Sequence, residues 1–225
     1  MANKTFTILI IILILLFPVV YAVPEGATVT PGTSETRQSS GAGSHGAFGG
    51  NITQLNVSGD TQTLVWQGYH GEVSGDIVLE DASGDRLYHW PVSVTTGEVY
   101  ASLSNAVTWG NIAAQNVCTT DESITGTGSD KVSNTFTASS NSAFQVGGTT
   151  IIANTACATN TYINSSSQSS DFEEIMLTDG SNTVYAAILE NNLAGFDTNT
   201  HDFQMIVPED NDGTTTTYYF YIELG

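Results

Sequence analysis

The 225-residue chain sets 23 acidic residues against four basic ones, for a formal charge of −19 at pH 7. Only 12% of its residues are charged, against roughly 25% in ordinary domains; the deficit lies in Lys and Arg, and Ser, Thr, Asn and Gly supply the surface polarity. Because affinity for nucleic acid comes largely from Lys and Arg neutralising phosphates, nucleic acid and anionic lipid are poor partners, whereas divalent cations and neutral glycans stay open.

The first residues carry one positive charge, Lys4, followed by an apolar run from Ile8 to Phe17, Pro18, and Val20-Tyr21-Ala22. A basic start, an apolar middle and a small-residue cleavage site are the parts of a secretory signal peptide, here residues 1–22. The run falls short of the roughly 20 apolar residues that span a bilayer, and a proline interrupts it. Cleavage after Ala22 is therefore expected, with an uncleaved anchor as the alternative. No later stretch is apolar enough to span, so after cleavage no membrane span is expected. Cleavage leaves Arg37, Arg86 and Lys131 as the basic residues.

Residues 23–50 are rich in Gly, Ser, Thr and Pro, with one aromatic, Phe48. Such a segment buries too little apolar surface to offset its ordering entropy. It reads as a flexible linker, or else as a spacer or a strand donated to a neighbouring subunit. From Asn51 onward, short β-branched and aromatic runs alternate with Gly, Asp, Asn and Ser. The clearest pair, Asp76–Glu80 and Arg86–Trp90 around the loop 81–85, reads as a β-hairpin. Strands are also expected at Ile52–Val57, Leu64–Tyr69, Glu98–Leu103, Val132–Thr137, Ala143–Val146, Thr149–Ala153, Glu173–Leu177, Val184–Glu190, Phe203–Val207 and Thr217–Leu224. The one helical candidate runs from Ser104 to Gln115, with Val107, Trp109 and Ile112 turned inward. Many short strands with turn-rich spacing predict an all-β class: a single β-sandwich or jelly-roll-like domain over residues 51–225.

Cys118 and Cys157 are the only cysteines. In an exported chain a lone pair most often forms one disulfide, the alternative being two buried thiols. The four histidines, His45, His70, His89 and His201, form no i, i+4 pair and no HExxH run, so spacing offers zinc catalysis no anchor. His70 and His89 read as cover for strand edges. Glu209-Asp210-Asn211-Asp212-Gly213 resembles half of a calcium loop, although an EF-hand needs an acidic residue six positions after the Gly, where Tyr219 stands. Asp210 and Asp212, with Asp197 and Asp202 from a neighbouring loop, are the candidate ligands of a structural calcium, against the plainer expectation of a polar turn. No other cofactor is expected.

Glu173 and Glu174 are adjacent carboxylates, but neighbours on a strand point to opposite faces, so they cannot flank one glycosidic bond. No nucleophile elbow and no Cys–His context appears. Asn51, Asn56 and Asn164 begin N-glycosylation acceptor triplets. Trp66, Tyr69, Trp90, Tyr100 and Trp109 would make a sugar-stacking platform if exposed, but aromatics at strand spacing are more often core.

Several phrases carry a resemblance: Trp66-Gln67-Gly68-Tyr69, Gly97-Glu98-Val99-Tyr100-Ala101-Ser102, Asp171-Phe172-Glu173-Glu174, the run Asp202 to Pro208, and the ending Tyr218 to Leu224. Together they resemble a group of uncharacterised, secreted, β-rich archaeal surface proteins. The resemblance covers most of residues 51–225; it implies export and a cell-surface setting and carries over no functional residues. Export, the lack of a catalytic constellation, a Ser/Thr/Gly-rich leader able to bridge subunits and a terminal aromatic strand point to a non-enzymatic extracellular structural protein that associates with itself or with other envelope proteins. A glycan- or calcium-dependent adhesion module is the rival reading, and a secreted hydrolase ranks third.

Overall fold

The computed structural model describes residues 23–92, 96–167 and 170–225, with only the backbone at residues 138 and 139. The expected signal peptide, residues 1–22, lies outside the described residues. In chain order the strands are β1 (Glu25–Gly26), β2 (Trp66–Gly71), β3 (Asp76–Glu80), β4 (Arg86–Pro91), β5 (Gly97–Ser102), β6 (Ala113–Ala114), β7 (Ala138–Ser139) and β8 (Phe144–Val146). They continue with β9 (Thr149–Ile151), β10 (Cys157–Asn160), β11 (Glu173–Thr178), β12 (Thr183–Ile188), β13 (Leu193–Ala194), β14 (Thr200–His201), β15 (Phe203–Pro208) and β16 (Tyr219–Leu224). Two single-turn helices, α1 (Glu122–Thr125) and α2 (Val132–Thr135), lie between β6 and β7. The protein is all-β, and its strand pairings are antiparallel.

The main sheet runs β1-β16-β5-β12-β11-β10-β7, with β6 beside β11 further along. Its inner strands are apolar at consecutive positions rather than at alternate ones, as expected when both faces are covered. Side chains alternate between faces, so Val99, Ala101, Met176, Tyr185 and Ala187 gather on one side with Met205 and Val207 of β15. Tyr100, Ile175, Leu177, Val184 and Ala186 gather on the other, with Val146 and Ile151 of the β8–β9 hairpin. The first face is roofed by the β2–β15 ribbon, in register from Phe203 opposite Gly71 to Pro208 opposite Trp66, and by Val132 and Phe136 beside α2. The sandwich thus has one broad central sheet, with two-stranded ribbons and short turns as its outer layers. Each large apolar side chain buried there contributes about 1.5–3 kcal/mol.

Gly97 shows how tightly the sheet is joined. Its φ is +122°, and a Cβ there would sit 2.1 Å from the Glu223 carbonyl oxygen of β16. Only glycine lets β5 approach its neighbour this closely. Cys118 and Cys157 form a disulfide with a Cα–Cα distance of 5.6 Å, 39 residues apart in sequence. Closing a loop of that length stabilises by about 4 kcal/mol in the chain-entropy view.

Four local expectations are corrected. Residues 52–57 form no strand: only Leu55 and Val57 keep a strand's two-residue spacing, and their side chains, like that of Ile52, are exposed with no layer to pack on. Val132–Thr135 is a helical turn, because Val132 and Phe136, spaced i, i+4 and both fully buried, share one side of a helix. The proposed helix over 104–115 is a 3-10 turn at Trp109–Asn111 followed by β6. Asp179 accepts the Thr108 amide at 2.9 Å and fixes that non-helical path, although Ile112 and Trp109 do pack inward. Lastly, the segment 23–50 is not wholly unpaired: Glu25 and Gly26 lie opposite Ile222 and Tyr221 on β16.

Candidate functional site

The β3–β4 hairpin differs from every other pair of strands. Its turn is well made: Asp81 Oδ1 accepts the amides of Ser83 and Asp85 at 2.8 and 3.0 Å, and Gly84 takes a φ of +83°. Ile77 lies opposite Trp90 and Leu79 opposite Tyr88, so these four share one face. That face is bare. Ile77 is 53% exposed, Leu79 50%, Tyr88 59% and Trp90 48%, with the Tyr88 and Trp90 rings 4.8 Å apart. Among the described residues neither strand bonds to a third strand, so both edges offer unpaired backbone groups. The hairpin's one basic residue, Arg86, is held by Glu80 at 3.3 Å.

A second cluster lies where β2 meets the loop after β13. His70 of β2 and His201 of β14 face each other with their Nδ1 atoms 3.4 Å apart. On the far side of the His201 ring, Nε2 meets Asp197 Oδ1 at 2.8 Å. Asn199 donates from its amide to Asp197 Oδ1 at 3.1 Å and from Nδ2 to Oδ2 at 2.8 Å. These Asn199 bonds, with a smaller contribution from His201, hold the Asp197 carboxyl at about 2. The Phe196 ring packs edge-on to His70 and stacks on His201. Gly195 is needed here, because a Cβ would fall 2.5 Å from the His201 ring and 2.6 Å from Gln204 Oε1.

Buried carboxyl groups form a third feature. Glu98 and Glu223, opposite one another on β5 and β16, both contact the Tyr100 hydroxyl at 3.2 Å. Gly147 donates its amide to Glu223. A phenol has one proton to give, so the arrangement closes when protonated Glu98 donates to Tyr100 and Tyr100 donates to Glu223. Burial, reinforced by the Glu223 charge, pushes Glu98 up to about 8. Glu174 is fully buried and raised well above the usual carboxyl range by desolvation; its Oε2 accepts the Ile206 amide at 2.9 Å, and its Oε1 has no partner. Glu173 faces the other way and accepts the Ser142 amide at 2.7 Å, so the adjacent carboxylates do diverge.

No protein-family model matches this chain, and no curated protein or solved structure is detectably similar to it.

The calcium candidates separate. Asp210 and Asp212 join Glu209 in a group whose ligand oxygens lie within 4.8 Å of one another. Each is already engaged in its own turn, Glu209 with the Asn211 amide, Asp210 with the Asp212 amide and Asp212 with Thr214. Asp202 is buried elsewhere, its oxygens taken by the amides of Val73 and Asn192, and Asp197 serves His201. Of the aromatic candidates, Tyr100 is fully buried. Trp66 and Tyr69 pack on one core, Trp109 packs on the other, and Trp90 alone stands on an open face. Asn51, Asn56 and Asn164 are all exposed. The His70–His201 pair was invisible in the sequence because 131 residues separate its members. The buried acids were equally hidden, since a Glu in a strand ordinarily faces water.

Proposed function

We propose that this is a non-enzymatic, exported cell-surface protein that associates with further copies of itself through the β3–β4 hairpin. The observation that carries the reading is the bare face of Ile77, Leu79, Tyr88 and Trp90. An isolated two-stranded hairpin is marginal in water, and exposed strand edges are templates for pairing with another chain. This hairpin has apolar side chains and two free edges at one place. A second copy is the occupant that can supply both needs, since its own hairpin brings a matching apolar face and a matching free edge. The leader favours the same partner: β1 is tied to the sheet by two residue pairs, and no strand or helix follows it before β2. That length of chain lets β1 seat on a neighbour's β16 as readily as on its own.

Export rests on the basic-apolar-small pattern of residues 1–22 and on the disulfide, which persists in oxidising surroundings. No helix among the described residues is long and apolar enough to cross a membrane. A charge near −20 repels copies from one another, so association should strengthen as salt shortens the screening length from about 10 Å at 0.1 M to about 3 Å at 1 M. Light scattering on the purified protein across concentration at both salt levels tests this. Mass that rises with concentration, more steeply at high salt, supports the reading; a monomer at every concentration in both refutes it.

A further inference from the structure

We infer that His70 and His201 form a binding site for zinc, the two Nδ1 atoms serving as its protein ligands and Asp197 holding the second imidazole in place. The geometry leads there in two steps. Zinc binds imidazole nitrogens at about 2.0–2.1 Å in tetrahedral array, which places two such nitrogens about 3.3–3.4 Å apart. The observed separation is 3.4 Å, a ring-to-ring hydrogen-bond contact whose proton zinc would displace.

The proton inventory agrees with the spacing. Asp197 accepts hydrogen bonds from Asn199 through both of its oxygens, and its contact with His201 Nε2 is satisfied when that nitrogen carries a proton. Neutral His201 then has its lone pair on Nδ1, directed at His70. A carboxylate on the far nitrogen of a metal-binding histidine is the usual way such a ring is oriented and made more basic. His201 is only 7% exposed, and the close approach of Gly195 fixes its ring. His70, by contrast, is exposed and turns to present its own Nδ1 with little cost in ordering. Phe196 packs against both rings and restrains their orientation. Zinc would take its remaining two ligands as water, or as a carboxylate or imidazole from outside the chain. The large negative charge of the protein raises the local concentration of any divalent cation, while the nitrogen ligands select zinc over calcium and magnesium.

The site stands apart from the hairpin, and its test does not depend on self-association. Titrating the purified protein with zinc chloride at neutral pH should show one ion per chain by calorimetry. Long-range 15N–1H spectra should show the Nδ1 signals of His70 and His201 moving, with those of His45 and His89 unmoved. Replacing the exposed ligand, His70→Ala, should weaken binding at least tenfold while leaving the melting temperature without zinc unchanged. Asp197→Asn, which keeps both imidazoles, should weaken it about 10–100-fold, as removal of such supporting groups does, and should alter the His201 Nδ1 signal. The Asp210→Asn, Asp212→Asn double variant should bind like the unmodified protein. Absence of binding at millimolar zinc, undiminished affinity in His70→Ala, or loss confined to the Asp210/Asp212 variant would each overturn the assignment.

Discussion

The central strands β5, β12 and β11 and the hairpin strands β3 and β4 are written in the same alphabet of aliphatic and aromatic residues, yet they meet opposite fates. Val99, Tyr100, Ile175 and Val184 are at most 6% exposed, whereas Ile77, Leu79, Tyr88 and Trp90 are all close to half exposed or more. What separates them is partners rather than composition. Each central strand has a hydrogen-bonded neighbour on both edges and a layer on both faces; among the described residues the hairpin strands pair only with each other. Strand-forming sequence therefore marks where backbone pairs, while burial depends on which surfaces the rest of the chain brings alongside. On the proposed reading, an apolar face that the chain leaves bare within one molecule is a face held for another copy.

The largest contrast lies in stability. Ile175→Ala removes a fully buried side chain and should cost about 2–5 kcal/mol. Leu79→Ala, on the bare face, should stay within about 0.5 kcal/mol in dilute solution. Urea unfolding of the two variants measures both values. Comparable losses would mean that the hairpin packs on the body in solution and that the contrast is false.

A smaller effect of opposite origin comes from the buried acids of the body, which have no counterpart in the hairpin. Glu98 has a folded value of about 8 against an ordinary 4.5. The folded state thus keeps a proton that the unfolded chain gives up. Its contribution is fully present below about pH 4.5 and is lost as pH rises through 8, a change of the order of a few kcal/mol. Glu223 is raised by burial in the same direction. Glu98→Gln keeps a neutral donor to Tyr100 and should flatten the fall between those limits, read as melting temperature against pH. A variant whose profile falls as steeply as the unmodified protein would remove Glu98 from the account.

The smallest effect is expected in the acidic turn. Asp210→Asn with Asp212→Asn alters exposed groups engaged only in their own turn, so stability should change by no more than about 0.5 kcal/mol, and added calcium should leave the melting temperature in place. A calcium-induced rise that the double variant abolishes would instead favour a calcium-dependent adhesion module.

The sequence made the all-β class legible because its signal is local: alternation in Phe203–Val207, the turn-punctuated hairpin at 76–90, and Gly-rich breaks elsewhere. It also made the cysteine pairing readable, two cysteines allowing one bridge. The roles of Val132 and Phe136 are not legible in the sequence, because a four-residue helical turn and a short strand look alike when only two apolar residues report on them. The bare hairpin face could not be read at all, since exposure depends on distant segments and the same residues elsewhere make core. The His70–His201 pair and the Glu98–Tyr100–Glu223 chain are products of register: β2 against β15 and β5 against β16 set them in place, and one-dimensional spacing holds no trace of either.

The hairpin as a contact between copies is the central claim, and a paired measurement of mass tests it most directly. Light scattering at high salt should give the unmodified protein a mass above that of one chain, and the Ile77→Asp, Trp90→Asp double variant the mass of a monomer with its melting temperature intact. Equal masses for the two proteins, whether both monomeric or both assembled, would contradict the claim and release the bare face from any part in self-association.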